Sequence, residues 1–367
     1  MSATAKARAM YSHILVTGGA GFVGSHLAIA LRESFPSTSV TAFDNLGRRG
    51  SELNLGLLRE HGVVFRHGDV RSAEDLAFPG PPPELIIDCS AEPSAQAGYG
   101  RSPEFTVKTN LLGTFHCLEL ARRVQADLLL VSTSRVYPYR ALNSLALVEE
   151  ETRFALKGEQ SVPGASGCGI TEEFPLDGAR SIYGMTKLAS ELMALEYADA
   201  YGFRCVVNRC GLISGPRQMG KSDQGVIVLW LASHYFGRPL RYIGFGGSGK
   251  QVRDVLHIDD FCGLAVDEAR NFELYAGRPL NVGGGTENSV SLLEITELCA
   301  EITGRRIQIA PSPENRPADV KLYITDNSKI SAINGWRPKR NVRGCLEDVH
   351  EWLRSNEGIL KATLGFG

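Results

Sequence analysis

The sequence predicts an α/β fold: a Rossmann-type doubly wound parallel sheet, followed by a smaller, discontinuous C-terminal substrate-binding domain. Three observations carry that reading. Short apolar runs alternate with amphipathic stretches through the first 211 residues. The runs are apolar throughout, as strands covered on both faces must be. A glycine trio sits where the first run gives way to the first amphipathic stretch, the turn at which such folds hold a dinucleotide.

The elements follow in order. "HILVTG" (13–18) reads as a strand, "FVGSHLAIALRESF" (22–35) as a helix and "SVTAFDN" (39–45) as the next strand. Strands are expected at 62–70, 84–91, 126–134 and 203–211, with helices at 103–124 and 182–202. After residue 211 the alternation breaks down. The expected division is a cofactor domain over 1–211, with 253–275 packing back on it. Residues 212–252 and 276–367 then form the smaller domain.

Composition narrows the class. The chain has 367 residues, 43% hydrophobic and 22% charged, with a net charge of −2. That charge argues against a nucleic-acid binder, which carries a basic excess. No apolar run approaches the ~20 residues of a membrane span. The first residues, "MSATAKARAMYSH", lack an apolar core behind their basic charges, so no secretory signal is read and a cytoplasmic location is expected. Eight cysteines contain no C-x-x-C pair. They are expected to be reduced and structural, with no metal bound.

"TGGAGFVGSH" places Gly18, Gly21 and Gly24 straight after a strand and at the start of a helix. Glycines there let the backbone approach a pyrophosphate at the helix N-terminus. Asp44 ends the second strand, where a carboxylate accepts hydrogen bonds from ribose hydroxyls and repels a 2′-phosphate. NAD is therefore expected over NADP. Arg48 and Arg49 have two readings, a phosphate contact or a solvated turn. Asp69 and Val70 follow the third strand, where an adenine edge could be read.

Tyr183 and Lys187 lie four residues apart at the start of a helix, on one face. A free tyrosine is a poor base at neutral pH, with a pKa near ~10. A neighbouring ammonium and an oxidised nicotinamide would lower that value. Thr133, at the end of the fifth strand, could bond the same reacting hydroxyl. Asn110 sits mid-helix, and either braces that helix or holds a relay water near Lys187.

With those residues in place, the chain resembles the extended short-chain dehydrogenase/reductases of the nucleotide-sugar epimerase/dehydratase group. The resemblance runs from Ile14 to about residue 355. It is carried in order by "TGGAGFVGSH", "DNL", "GDVR", "NLLGT", "STSRVY", "YGMTK" and "RDVLHIDD". Within the group, "DNLGRRGSELNL", "STSRVY", "SDQGV" and "GKQVRDVLH" are most similar to the CDP-paratose 2-epimerase (CDP-tyvelose epimerase) branch.

The resemblance implies Tyr183 as acid/base, Lys187 as its tuner and Thr133 as assistant. It implies a cofactor set of Gly18, Gly21, Phe22, Val23, Gly24, Asp44, Asn45, Arg48, Asp69, Val70, Ser90, Ala91, Asn110 and Ser132, together with Tyr183 and Lys187. Substrate contacts would come from Thr133, Ser134, Arg135, Asp223, Gln224, Arg253 and Arg316. The two last arginines would clamp a diphosphate. Asn281 would be a position of the second domain.

Dehydratases of the group carry an Asp-Glu pair after the threonine; here Ser134 and Arg135 stand there. An arginine cannot act as that base, so elimination lacks its catalyst. The resemblance thus implies an NAD-dependent nucleotide-sugar epimerase, inverting C2 of a CDP-hexose. Alternatives are C4 of a UDP-hexose, a net oxidoreductase, or a non-catalytic dinucleotide sensor. A homodimer through the helices at 103–124 and 182–202 is implied as well. Three departures stand out. Leu212 and Ser214 replace an asparagine and a tyrosine common in relatives. A histidine often found near Cys89 is missing. The segment from Tyr137 to Tyr183 is long, and either lies over the sugar site or is a solvated insertion.

Overall fold

The computed structural model describes residues 11–77, 80–221 and 224–366. Its centre is a seven-stranded, all-parallel sheet. The strands are β1 (His13–Thr17), β2 (Ser39–Asp44), β3 (Val64–His67), β4 (Leu85–Asp88), β5 (Asp127–Thr133), β6 (Cys205–Cys210) and β7 (Pro279–Val282). Their spatial order is β7-β6-β5-β4-β1-β2-β3. The order reverses between β1 and β4, which opens a crevice at their C-terminal ends. Thr17 pairs with Phe43 on one side and Asp88 on the other, so the glycine turn emerges in that crevice.

Burial explains the uninterrupted apolar strands. Ile14, Val16, Leu129 and Val206 join one core layer, while Leu15, Ile86, Leu128 and Val207 join the other. Helices α1 (Phe22–Ser34), α2 (Gly113–Val124), α3 (Ile182–Tyr201) and α4 (Ile258–Arg270) cover the sheet. The helix expected at 103–124 is interrupted by a π-helical turn at Lys108–Leu112. No helix among the described residues is long and apolar enough to cross a membrane.

The second half departs from its expected boundaries. Pro279–Val282, assigned above to the smaller domain, is the edge strand of the main sheet, paired with β6. Its run is too short to reveal a sheet membership that depends on a distant partner. The stretch expected to pack back as a unit is split. Strand Val252–His257 pairs with Leu212–Ser214, Ser289–Ser291 and Leu322–Tyr323 in a separate sheet, while α4 buries Ile258, Phe261 and Leu264 in the core against α1. Helices Val226–Phe236, Leu292–Thr303 and Val342–Ser355 supply the smaller core.

The long 138–182 segment is docked. Phe154 packs with Val252, Leu322 and Ile324. Leu142, Ile170 and Phe174 pack with Tyr137, Val320 and Tyr323. Arg153 forks onto Glu294 at 2.8 and 2.5 Å. The solvated-insertion alternative does not hold, because this segment shares a core with the smaller half.

Candidate active site

The crevice fits a dinucleotide at its phosphate end. Gly18 has a φ of +63°, and a Cβ on it would lie 2.9 Å from the Cys89 carbonyl carbon. A Cβ on Gly24 would sit 2.1 Å from the Gly18 oxygen. The glycines are therefore required for β1, the turn and α1 to close on one another. Gly21 caps α1 without a side-chain hydrogen bond, so the first-turn N–H groups face the crevice as anion donors. Ser90, just past β4, has a buried hydroxyl with no protein partner. Phe22, Val23, Cys89 and Ala91 line the same cleft.

Asp44 braces this end. Its carboxylate accepts from Ala20 N at 3.1 Å and Leu46 N at 2.7 Å. Each carboxylate oxygen keeps lone-pair capacity for a ribose hydroxyl. Burial pushes its pKa up, against those backbone bonds. Asn45 donates to Asp69 at 2.9 Å, and Arg71 forks onto the same carboxylate. Asp69 is thereby held well below the usual carboxylate range, chiefly by Arg71. Val70 is buried where a Cβ on Gly113 would strike its Cγ2 at 2.7 Å, and its carbonyl accepts from His116 at 2.7 Å. The Asp69 and Val70 groups are thus part of a fixed wall.

Arg48, Arg49 and Asn110 all have partners within the protein. Arg48 donates to the Met219 carbonyl and Arg49 to the Ala362 carbonyl, at 2.9 and 2.8 Å. They tie the turn after β2 to the C-terminal half, a role contained in neither the phosphate nor the solvated-turn reading. Asn110 is fully buried, and its amide clasps the Glu92 backbone at 2.8 and 3.2 Å and reaches Thr186. It braces the loop after β4, and its carbonyl accepts from Ser190 at 3.0 Å.

The reaction end sits where β5 stops and α3 starts. Thr133, Tyr183 and Lys187 are 8%, 9% and 1% exposed and line one cleft of about 640 Å³. Ser181 caps α3 through Gly184 N at 3.1 Å, which fixes the first turn carrying Tyr183. Gly184 has a second duty. A Cβ there would lie 2.2 Å from the Arg135 carbonyl, so the glycine lets α3 settle against the 133–135 turn. Burial pushes Tyr183 up to about 12, while a Thr133 hydrogen bond and the Arg135 charge pull it down. Among the protein's own groups, dehydration thus outweighs the Thr133 bond and the Arg135 charge.

Behind the site runs a polar network. Ser132 donates to Glu191, and Arg209 forks onto Glu191 at 3.0 and 2.8 Å. Arg209 reaches the Tyr137 hydroxyl at 3.3 Å, which donates to Asn281 at 2.8 Å. Asn281 holds the Ile170 carbonyl at 2.9 Å. Asn281 thus belongs to β7 and to this network. Glu191 and Arg209 were missed above, though both left a signal. Glu191 continues the Tyr183, Lys187 spacing by one more turn, and Arg209 is a charge inside an apolar strand.

The substrate side is basic. Arg135, Arg241, Arg253 and Arg316 line the cleft with Ser134 and Gln224. Gln224 has a buried amide oxygen without a protein partner. Arg253 donates to Asp319 at 3.1 Å and to the Val252 and Val320 carbonyls. Burial and the nearby Arg135 lower its pKa to about 10. Asp223, also expected here, lies outside the described residues.

The NAD dependent epimerase/dehydratase family matches residues 14–283. The chain belongs to that family. CDP-paratose 2-epimerase of Salmonella typhi is 29% identical, over 93% of this chain and 99% of that protein. A dTDP-glucose 4,6-dehydratase of Actinoplanes is 30% identical, over 94% and 98%. Among solved structures, the Thermus thermophilus UDP-glucose 4-epimerase complex with NAD superposes with a TM-score of 0.74 at 26% identity, over 93% and 99%. The protein is an NAD-dependent enzyme of the epimerase class, and the glycine cradle, the uncapped α1 and the orphan Ser90 hydroxyl suit the cofactor of this epimerase/dehydratase fold.

Proposed function

We propose that this enzyme inverts carbon 2 of a CDP-hexose through a transient keto-sugar. The observation that carries the reading is the charge of the cleft. Among the described residues, its only lining carboxylate is Asp319, and Arg253 holds it at 3.1 Å. No acid pair follows Thr133, so water elimination has no catalyst. The likeness to CDP-paratose 2-epimerase supports the nucleotide and the carbon.

NAD, when bound, supplies reversible hydride exchange with the sugar. Tyr183 takes the proton of the reacting hydroxyl and later returns it to the same oxygen. Thr133 orients that oxygen. Lys187 and Arg135 supply the cationic surroundings that a phenolate needs. Arg253 and Arg316 anchor the diphosphate, so remote binding is converted into positioning while the sugar turns. Asp44 and the glycine turn hold the cofactor, and buried Ser132 and Asn110 keep β5 and the β4 loop in place.

A second reading, carbon 4 of a UDP-hexose, is supported by the likeness to the Thermus 4-epimerase. Incubation of the purified protein with CDP-, UDP-, dTDP- and GDP-hexoses, without added cofactor, separates the readings by mass and proton NMR. A CDP-hexose product of unchanged mass, inverted at C2, is expected. Inversion at C4 supports the second reading. Loss of water refutes the argument from Ser134 and Arg135. Growth of reduced-cofactor absorbance would make it a net oxidoreductase, and binding without turnover a sensor.

A homodimer belongs to the same proposal. Phe105, Leu112, Met185, Leu192 and Tyr201 are exposed on the 104–124 and α3 helices, Leu192 at 61%. A monomeric mass in light scattering would refute it.

A further inference from the structure

The loop 316–321 carries Arg316 into the cleft, and its backbone is held in an unusual way. Four consecutive carbonyls each accept from a side chain of a different segment. Gln96 donates to Pro317 O at 2.9 Å and Arg135 to Ala318 O at 3.3 Å. Asn143 donates to Asp319 O at 2.9 Å and Arg253 to Val320 O at 2.8 Å. Asn143 also accepts from Lys321 N at 2.9 Å, so one amide grips the chain on both sides of Val320. Ala318 takes a left-handed φ of +54°. A non-glycine residue holds that conformation only when its surroundings impose it.

The donors come from distinct parts of the fold. Gln96 follows β4, Arg135 follows β5, and Asn143 lies in the long segment after Tyr137. Only Arg253 comes from the smaller sheet. Two of the four bonds therefore reach the loop from the cofactor-binding half, and a third from the long segment. Gln96 and Asn143 are not among the cleft-lining residues, so they act on substrate only through the loop.

We propose that Asn143, seconded by Gln96, is a positioning residue for nucleoside-diphosphate recognition. By fixing the 316–321 backbone it sets Arg316 and, through Asp319 and Val320, the Arg253 guanidinium. This gives the long segment a function: it braces the loop that carries Arg316 and bonds Arg253. The inference rests on the reading that Arg253 and Arg316 hold the diphosphate.

The test is calorimetric binding of CDP and UDP to the NAD-loaded enzyme, with steady-state kinetics on the converted nucleotide-sugar. Asn143→Ala should weaken binding of the converted nucleotide's diphosphate roughly tenfold, because a loosened loop must then be ordered on binding. KM should rise alike, with kcat nearly unchanged and Tm lowered by only a few degrees. Gln96→Ala should do the same to a smaller degree. A fall in kcat and Tm with unchanged diphosphate affinity would make Asn143 merely structural and overturn the proposal. Arg253→Met and Arg316→Met are the controls. If they weaken binding and Asn143→Ala does not, this inference alone fails. If neither arginine variant weakens binding, the diphosphate reading beneath it fails.

Discussion

Glu268 offers a quantitative test of how the catalytic sheet is supported. It is fully buried on α4, beside β6, and Asn208 donates to its Oε2 at 2.8 Å. Its other oxygen has no partner. Dehydration raises its pKa from 4.5 to about 8, outweighing the Asn208 bond. Below pH 4.5 the carboxyl is protonated in both folded and unfolded chains, and its favourable contribution is complete. As pH rises, the unfolded chain releases the proton first, so stability falls until the folded group ionises near pH 8. At ~1.4 kcal/mol per pH unit, the rise from 4.5 to about 8 corresponds to about 5 kcal/mol. Glu268→Gln keeps the shape and removes the ionisation. Urea unfolding at about pH 5.5 and 8.5 should show the variant gaining about 3 kcal/mol on the parent across that interval. Parallel pH dependences, within about 1 kcal/mol, would refute a buried neutral carboxyl.

Other perturbations bear on the site directly. Tyr183→Phe should cut turnover at least ~10²-fold, the lower range for a general acid/base, while NAD binding measured by calorimetry stays intact. Near-parental turnover would remove Tyr183 from its role. Arg209→Met leaves the buried Glu191 carboxylate without its cation, bonded only by Ser132, and should cost about 3–5 kcal/mol in urea unfolding; a cost below ~1 kcal/mol would mean the pair is not closed to water. Gly184→Ala places a Cβ 2.2 Å from the Arg135 carbonyl. It should destabilise by about 1–3 kcal/mol and lower kcat as α3 moves away. Unchanged kcat would show that Tyr183 tolerates the displacement.

What could be read from the sequence was local. The glycine turn, Asp44 and the Tyr183–Lys187 spacing are contiguous patterns, and the apolar strands carry their burial in their composition. Pairings across the chain left weaker marks. Pro279–Val282 joins the main sheet only because β6 offers an edge, and nothing within that short run encodes it. Arg48 and Arg49 were ambiguous because their acceptors, the Met219 and Ala362 carbonyls, are backbone atoms far along the chain. The depth at which Tyr183 is buried was not legible for a related reason. Neighbouring charges can be guessed from spacing, whereas the depth of burial depends on everything packed around the helix.

Ser134 and Arg135 illustrate how two positions limit the chemistry of a shared scaffold. On the proposed reading, with Asp319 engaged by Arg253, Tyr183 serves as the acid/base of the cleft. A single such group serves one oxygen, giving and taking the same proton. On the proposed reading, the oxidised carbon must then be reduced while that oxygen stays near Tyr183 and Thr133. Inversion requires the ring to present its other face, so the sugar must turn about its link to the diphosphate. That demands an anchor firm at the phosphates and a loose fit at the ring. The four arginines of the cleft and the side-chain bonds to residues 317–320 meet the first demand. Leu212, which lines the cleft where the resemblance places an asparagine, bears on the second. Leu212→Asn, by adding a hydrogen-bonding group to the cleft, should hold one sugar face and slow inversion more than it weakens binding. A kcat unchanged alongside tighter binding would refute the idea that turning room limits the reaction.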